Sequence, residues 1–212
     1  MQTATRRLAA QHPGLANQQR AVELYDGMAR RYDGGRSAWL TRRDSRIILD
    51  LLRPHPGESA LDAGCGTGVQ ARQLARLGLR VCAVDLSPRM ISLCAPHVDE
   101  VHLADIAGLE LGARFDCIVC NGALDFVASP ERCVEVLARH LRVGGRLAVI
   151  APRRSLGGAV YYVRHRILHG LHSHLFHRHS FAETARRCGL RELGVLHPFL
   201  HTIAFGWIRE AR

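Results

Sequence analysis

The stretch Ser59–Val69, Ser-Ala-Leu-Asp-Ala-Gly-Cys-Gly-Thr-Gly-Val, constrains this chain more than any other. A short apolar run around Leu61 ends in Gly64, Gly66 and Gly68. A helical pattern follows, with Val69, Leu74 and Leu77 on one side and Gln70, Arg72, Gln73 and Arg76 on the others. A buried strand that runs through a glycine turn into a helix is the opening unit of a parallel α/β sheet. Glycine reaches positive φ at little cost and has no side chain to hold a ligand away from the backbone. The helix that follows offers unpaired N–H groups at its start.

The glycine spacing also excludes something. A dinucleotide fingerprint requires G-x-G-x-x-G, with its third glycine at position 69. Val69 stands there, and the turn is G-x-G-x-G preceded by Asp62. This opposes a nicotinamide-dependent oxidoreductase. The next apolar run, Leu79 to Asp85, predicts a second strand ending in a carboxylate, and a carboxylate at that point can accept both hydroxyls of an adenosine ribose.

At these residues the chain resembles the class I S-adenosylmethionine-dependent methyltransferases. Leu61-Asp62-Ala63-Gly64-Cys65-Gly66-Thr67-Gly68 is similar to that family's first motif, and Val84-Asp85-Leu86-Ser87-Pro88-Arg89-Met90 to its second. Leu141-Arg142-Val143-Gly144-Gly145-Arg146-Leu147 resembles a further landmark, with Val143 at the usual proline. The resemblance spans residues 45 to 152 well. It implies that Ala63, Gly64, Cys65 and Gly66 line the methionyl part of S-adenosylmethionine, and that Asp62 supports its ammonium. Asp85 would take the ribose, Leu86 and Met90 would pack on adenine, and Asp105 and Ile106 would meet the adenine edge and face. Asn121 would contact the methionyl end, with Tyr25 or Tyr32 closing over the carboxylate. The product would be S-adenosylhomocysteine.

Length suits a single domain of 212 residues. The fold expected is one doubly wound α/β domain with a seven-stranded, mostly parallel sheet. Its parts are an arm over 1–17, two cap helices over 18–53, a cofactor-binding core over 54–152, a lid over 153–180, and a helix with a strand pair over 181–212. The first cap helix is expected from Gln18 to Tyr32, ended by Asp33-Gly34-Gly35. Lid residues Val160, Val163, Ile167, Leu168 and Leu171 recur near helical spacing. The seven cysteines are read as buried free thiols, because Cys117 and Cys120 on a strand point to opposite faces. All 29 basic residues are arginine, giving a net charge of +10, but they are spread along the chain and often sit near acids. That pattern reads as bacterial, GC-rich codon usage and opposes nucleic-acid binding. No apolar run of spanning length and no secretory leader is visible, so a cytoplasmic location is the default.

Methyl transfer from a sulfonium is an in-line displacement, so the protein mainly positions the acceptor, and a hydroxyl acceptor also needs a base. The lid carries His169, His172, His174, His177 and His179 without any recognised metal-ligand pattern, so no metal is assigned. His174, His177 and His179 are the candidate bases, the last two preferred, with Asp125 as a further acceptor-facing group. The lid's basic helix also allows contact with a membrane surface. The activity expected is O-methylation of a small-molecule metabolite. An RNA or protein methyltransferase and a non-catalytic cofactor-binding subunit are the alternatives.

Overall fold

A computed structural model describes residues 13–32 and 36–211, with side chains described over 14–32 and 43–211. Two helices come first, α1 (Pro13–Met28) and α2 (Arg36–Leu52). The core alternates β1 (Ser59–Ala63), α3 (Val69–Arg76), β2 (Arg80–Asp85), α4 (Pro88–Cys94), β3 (Glu100–Leu103), β4 (Phe115–Asn121), α5 (Pro130–Arg139) and β5 (Leu141–Pro152). The chain continues through α6 (Leu156–His169) and α7 (Ala182–Arg187) to β6 (Leu190–Phe199) and β7 (Thr202–Arg209).

The seven strands form one sheet in the order β3-β2-β1-β4-β5-β7-β6. All pairings are parallel except those of β7, which runs antiparallel to both β5 and β6. The strand order reverses between β1 and β4, so their C-terminal ends open a crevice where ligands bind in such sheets. Alternation along the strands separates two cores. Leu61, Ala63, Ile118, Cys120, Leu147 and Val149 pack with α5 on one face. Ala60, Val81, Ala83, Cys117, Val119 and Ala148 pack with Ile48 and Leu52 of α2 and Leu74 of α3 on the other. Cys117 and Cys120 thus fall in opposite cores, as two positions an odd number apart on a strand must. None of the seven cysteines is in a disulfide; six are buried and Cys188 is half-buried.

Three expectations need correction. First, α1 begins at Pro13 rather than Gln18, so residues 13–17 are helix and not arm; residues 1–12 and 33–35 lie outside the described residues. Proline suits a first helical turn, and Asn17 fixes this turn by hydrogen bonds to both the backbone N–H and carbonyl of His172, at 2.8 and 2.7 Å. Second, Val143-Gly144-Gly145 reads in the sequence as a turn before a strand over Arg146–Ala151, but β5 begins at Leu141. Leu141 pairs with Phe115 and Arg146 with Cys117, so the residues expected as a turn are a bulge within the strand, with Gly144 at φ +78°. Third, the lid helix spans Leu156–His169, where the apolar pattern in the sequence runs from Gly158 to Leu171; Val160, Val163, Ile167 and Leu168 are exposed, Leu171 is buried just beyond the helix, and Tyr161 and His165 face inward. Apolar spacing marks a common face, and burial of that face depends on what the rest of the fold places against it.

Candidate cofactor and acceptor site

Gly64 follows β1 at φ +77°, and a Cβ there would stand 2.3 Å from the Ala123 Cβ in the loop after β4. Glycine therefore lets the β1 turn touch that loop. Gly66, at φ +53°, is open to the crevice: a Cβ there would meet nothing within 4 Å and would fill ligand space. Beyond the turn, α3 starts at Val69, and its first residues, Val69 and Gln70, line the adjoining cavity.

Asp85 ends β2 opposite this turn. Its Oδ2 accepts from the Gly66 N–H and its Oδ1 from the Ser87 N–H, both at 2.9 Å. Burial raises its pKa, while the N–H groups of Ser87, Gly66 and Leu86 pull it back. Two backbone donors thus fix the plane of the carboxylate, which still has lone pairs facing the crevice. Ser87 caps α4 by accepting from the Met90 N–H and donates its own hydroxyl to Asp26 of α1 at 2.6 Å.

Two cavities meet at the turn. The first, about 750 Å³, lies between α1 and the ends of β1, β2 and β4. Asp85, Leu86, Met90, Ile106, Asn121 and Tyr25 are among the residues that line it. The second, about 1000 Å³, continues over β4 and β5 and is lined by Asp62, Cys65, Asp125, Tyr161, His201 and Asp44, among others. Gly64, Gly66, Tyr25, Tyr32 and Asn121 border both cavities.

The second cavity is rich in buried acids. Asp62 is 1% exposed, and its Oδ2 has no hydrogen-bond partner. Burial pushes its pKa up to about 7 against the pull of the Ala71 backbone N–H, and the Asp85 charge adds to the rise. Asp125 is equally enclosed. Its Oδ2 accepts from the Tyr161 hydroxyl at 2.7 Å, and its Oδ1 has no partner. Burial raises it to about 7 although the Tyr161 hydrogen bond opposes the shift. The Asp125 backbone carbonyl accepts from the His174 N–H at 2.7 Å, which ties the acid to the lid. Asp44 is also raised by burial, to about 6, with Arg43 opposing.

Of the cofactor residues read from the sequence, all but Ala63 line one or both cavities; Ala63 is buried in the core. Asp105 has a structural task as well. It caps the turn at Ile106–Gly108 through the Ala107 N–H and accepts from the Gln18 side chain at 2.9 Å, holding α1 over the crevice. The candidate bases fare differently. Asp125 lines the second cavity, whereas His177 and His179 line neither. Both histidines are exposed in the turn before α7, where the His179 N–H donates to His177 Nδ1 and the Ser180 hydroxyl accepts from the His177 N–H. His174 braces the lid instead: its Nε2 lies 2.9 Å from the Val127 carbonyl. Sequence reasoning missed Gln18, Tyr161, Asp44 and His201. Of these, only Tyr161 left a signal, standing four residues before His165 on one helix face.

Residues 61–149 match the family model described as a methyltransferase domain. The chain is 36% identical over 136 residues to the ubiquinone biosynthesis O-methyltransferase of Xylella fastidiosa strain 9a5c, covering 56% of this chain and 55% of that protein. It is 29% identical over 162 residues to the enzyme of the same name in Coxiella burnetii, covering 69% of each. The chain spans about half the length of the first curated relatives it matches. In fold it is similar to the magnesium protoporphyrin IX methyltransferase of Synechocystis PCC 6803 with bound S-adenosylhomocysteine. That likeness has a TM-score of 0.73 at 16% identity and covers 92% of this chain and all of the other. Its fold and glycine turn place the chain among the Rossmann-like α/β proteins. Over residues 61–149 the chain is similar to a methyltransferase domain.

Proposed function

We propose that this chain binds S-adenosylmethionine at the ends of β1 and β2 and transfers its methyl group to an oxygen of a small-molecule acceptor in the second cavity. The observation that carries the reading is Asp85, held by the Gly66 and Ser87 N–H groups across from an open glycine turn. A diol-binding acid facing close-approach backbone suits an adenosyl group. Leu86, Met90 and Ile106 offer apolar surface for adenine, and the unpartnered Asp62 Oδ2 suits an ammonium at the methionyl end. When bound, the sulfonium supplies an activated methyl with a neutral leaving group. The protein's part is to align the acceptor, exclude water and take the acceptor's proton.

Asp125 is the group assigned to that proton. Asp125 lines the acceptor cavity, its buried Oδ1 has no hydrogen-bond partner, and its raised pKa sits near the range where a general base is most effective. Tyr161 orients it through the other oxygen. An oxygen acceptor agrees with the names of the relatives in Xylella and Coxiella.

Cofactor class is tested by thermal unfolding. S-adenosylhomocysteine at about 100 times its Kd adds ~2.7 kcal/mol to stability, which raises Tm by roughly 5–10 °C for a domain of this size. NAD at the same concentration leaves Tm unchanged. Stabilisation by NAD and not by S-adenosylhomocysteine overturns the reading.

A further inference from the structure

The lid helix α6 turns its apolar side to solvent. Leu156 is 90% exposed, Val160 70%, Ile167 75% and Leu168 60%. At about 100° per residue, Leu156, Val160, Val163 and Ile167 fall within about 60° of one another, and Arg164 and Arg166 flank them at about 80° on either side. The opposite face meets the protein: Tyr161 bonds Asp125, and the His165 ring lies 4.3 Å from Tyr161 and 5.5 Å from Phe126. The stripe extends beyond the helix. Leu200, 75% exposed, stands on the β6–β7 turn beside the start of α6, where its carbonyl accepts from the Ser155 hydroxyl at 2.7 Å.

Along the chain, the segment that carries this patch has charge of one sign, although Arg178 pairs with Glu192 of β6. Not one Asp or Glu occurs from Val136 to Ala182, while five arginines and six histidines lie between Pro152 and Ala182. We propose that α6 and Leu200 form a docking face for an anionic lipid bilayer, with the apolar stripe at the acyl boundary and the flanking arginines among acidic headgroups. An apolar face edged by arginine is the pattern of an interfacial helix. At 14 residues α6 is about 21 Å long, too short to cross a hydrocarbon core of ~30 Å, so it lies in the plane. A second copy of the chain fits the face less well. A two-fold contact sets the same patch against itself and would bring arginines together with no acid nearby to pair them. The face is independent of the methyl-transfer reading, although α6 also supplies Tyr161 to the acceptor cavity.

Sedimentation with vesicles tests this without any activity measurement. The whole chain should pellet with vesicles of equimolar phosphatidylcholine and phosphatidylglycerol, and at least about tenfold less with phosphatidylcholine alone or in high salt. The double variant Val160→Asp/Ile167→Asp should lose at least about tenfold in partitioning, and Arg164→Gln/Arg166→Gln should lose the preference for phosphatidylglycerol. Unchanged circular dichroism and Tm in both variants show that the fold is kept, as expected for exposed positions. The proposal is overturned if the wild type stays in the supernatant, or if Val160→Asp/Ile167→Asp pellets as well as the wild type. It is equally overturned if ultracentrifugation shows a dimer that this variant abolishes while vesicles bind neither form, because the face would then belong to a second copy.

Discussion

Asp85→Ala lowers the affinity for S-adenosylhomocysteine by about 10²–10³-fold, because it removes two charge-assisted hydrogen bonds to the ribose. The carboxylate is fixed before any ligand arrives, with one backbone N–H on each oxygen. Little ordering is therefore left to oppose binding, and most of the interaction is expressed as affinity. Asp85→Asn keeps one acceptor oxygen and should lose about tenfold, an intermediate result that separates shape from charge. The side chain sits at the strand end and at the cavity wall, so both variants should fold; isothermal titration calorimetry and circular dichroism on the same samples check both parts. An affinity for S-adenosylhomocysteine within error of wild type in folded Asp85→Ala removes Asp85 from the ribose.

Asp125→Asn lowers turnover by about 10²–10⁴-fold, the usual contribution of a positioned base. Its effect on S-adenosylhomocysteine affinity should stay within about threefold, since it belongs to the acceptor side. The pH profile follows from the pKa. Burial lifts Asp125 to about 7, and only the ionised form accepts a proton, so kcat/KM rises through about pH 7 and levels off above it. Tyr161→Phe deletes the hydrogen bond that favours the charged form, so the rising limb moves to higher pH. A merely structural Tyr161 would lower activity at every pH without moving the limb. A flat profile in the wild type, or an Asp125→Asn enzyme at full rate, excludes Asp125 as the base.

The parts of the site legible in the sequence are those where backbone geometry dictates residue type. Gly64 is required by positive φ and its close approach to Ala123, Gly66 is favoured by positive φ, and Asp85 marks the end of a strand whose apolar run is unmistakable. Their positions relative to one another follow from the parallel pairing of β1 with β2, where Ala63 is beside Val84. The acceptor side was less legible because it depends on which way elements turn. His177 and His179 were picked for their chemistry alone, and a histidine's pKa says nothing about where its chain segment is directed. Tyr161 was passed over in a helix read only for the spacing of its apolar residues. The structure turns those residues outward, leaving the tyrosine to meet Asp125. Asp105 shows the mixed case. Its place after β3 was legible, while its grip on Gln18, 87 positions away, comes from tertiary packing that no local pattern records.

The most direct measurement is a crystal structure of the chain with S-adenosylhomocysteine. The predicted result is ligand in the crevice, both ribose hydroxyls about 2.6–3.0 Å from the Asp85 carboxylate and the methionyl chain running along Gly64 and Gly66. An empty crevice at saturating ligand, or ligand bound elsewhere with Asp85 turned to solvent, contradicts it.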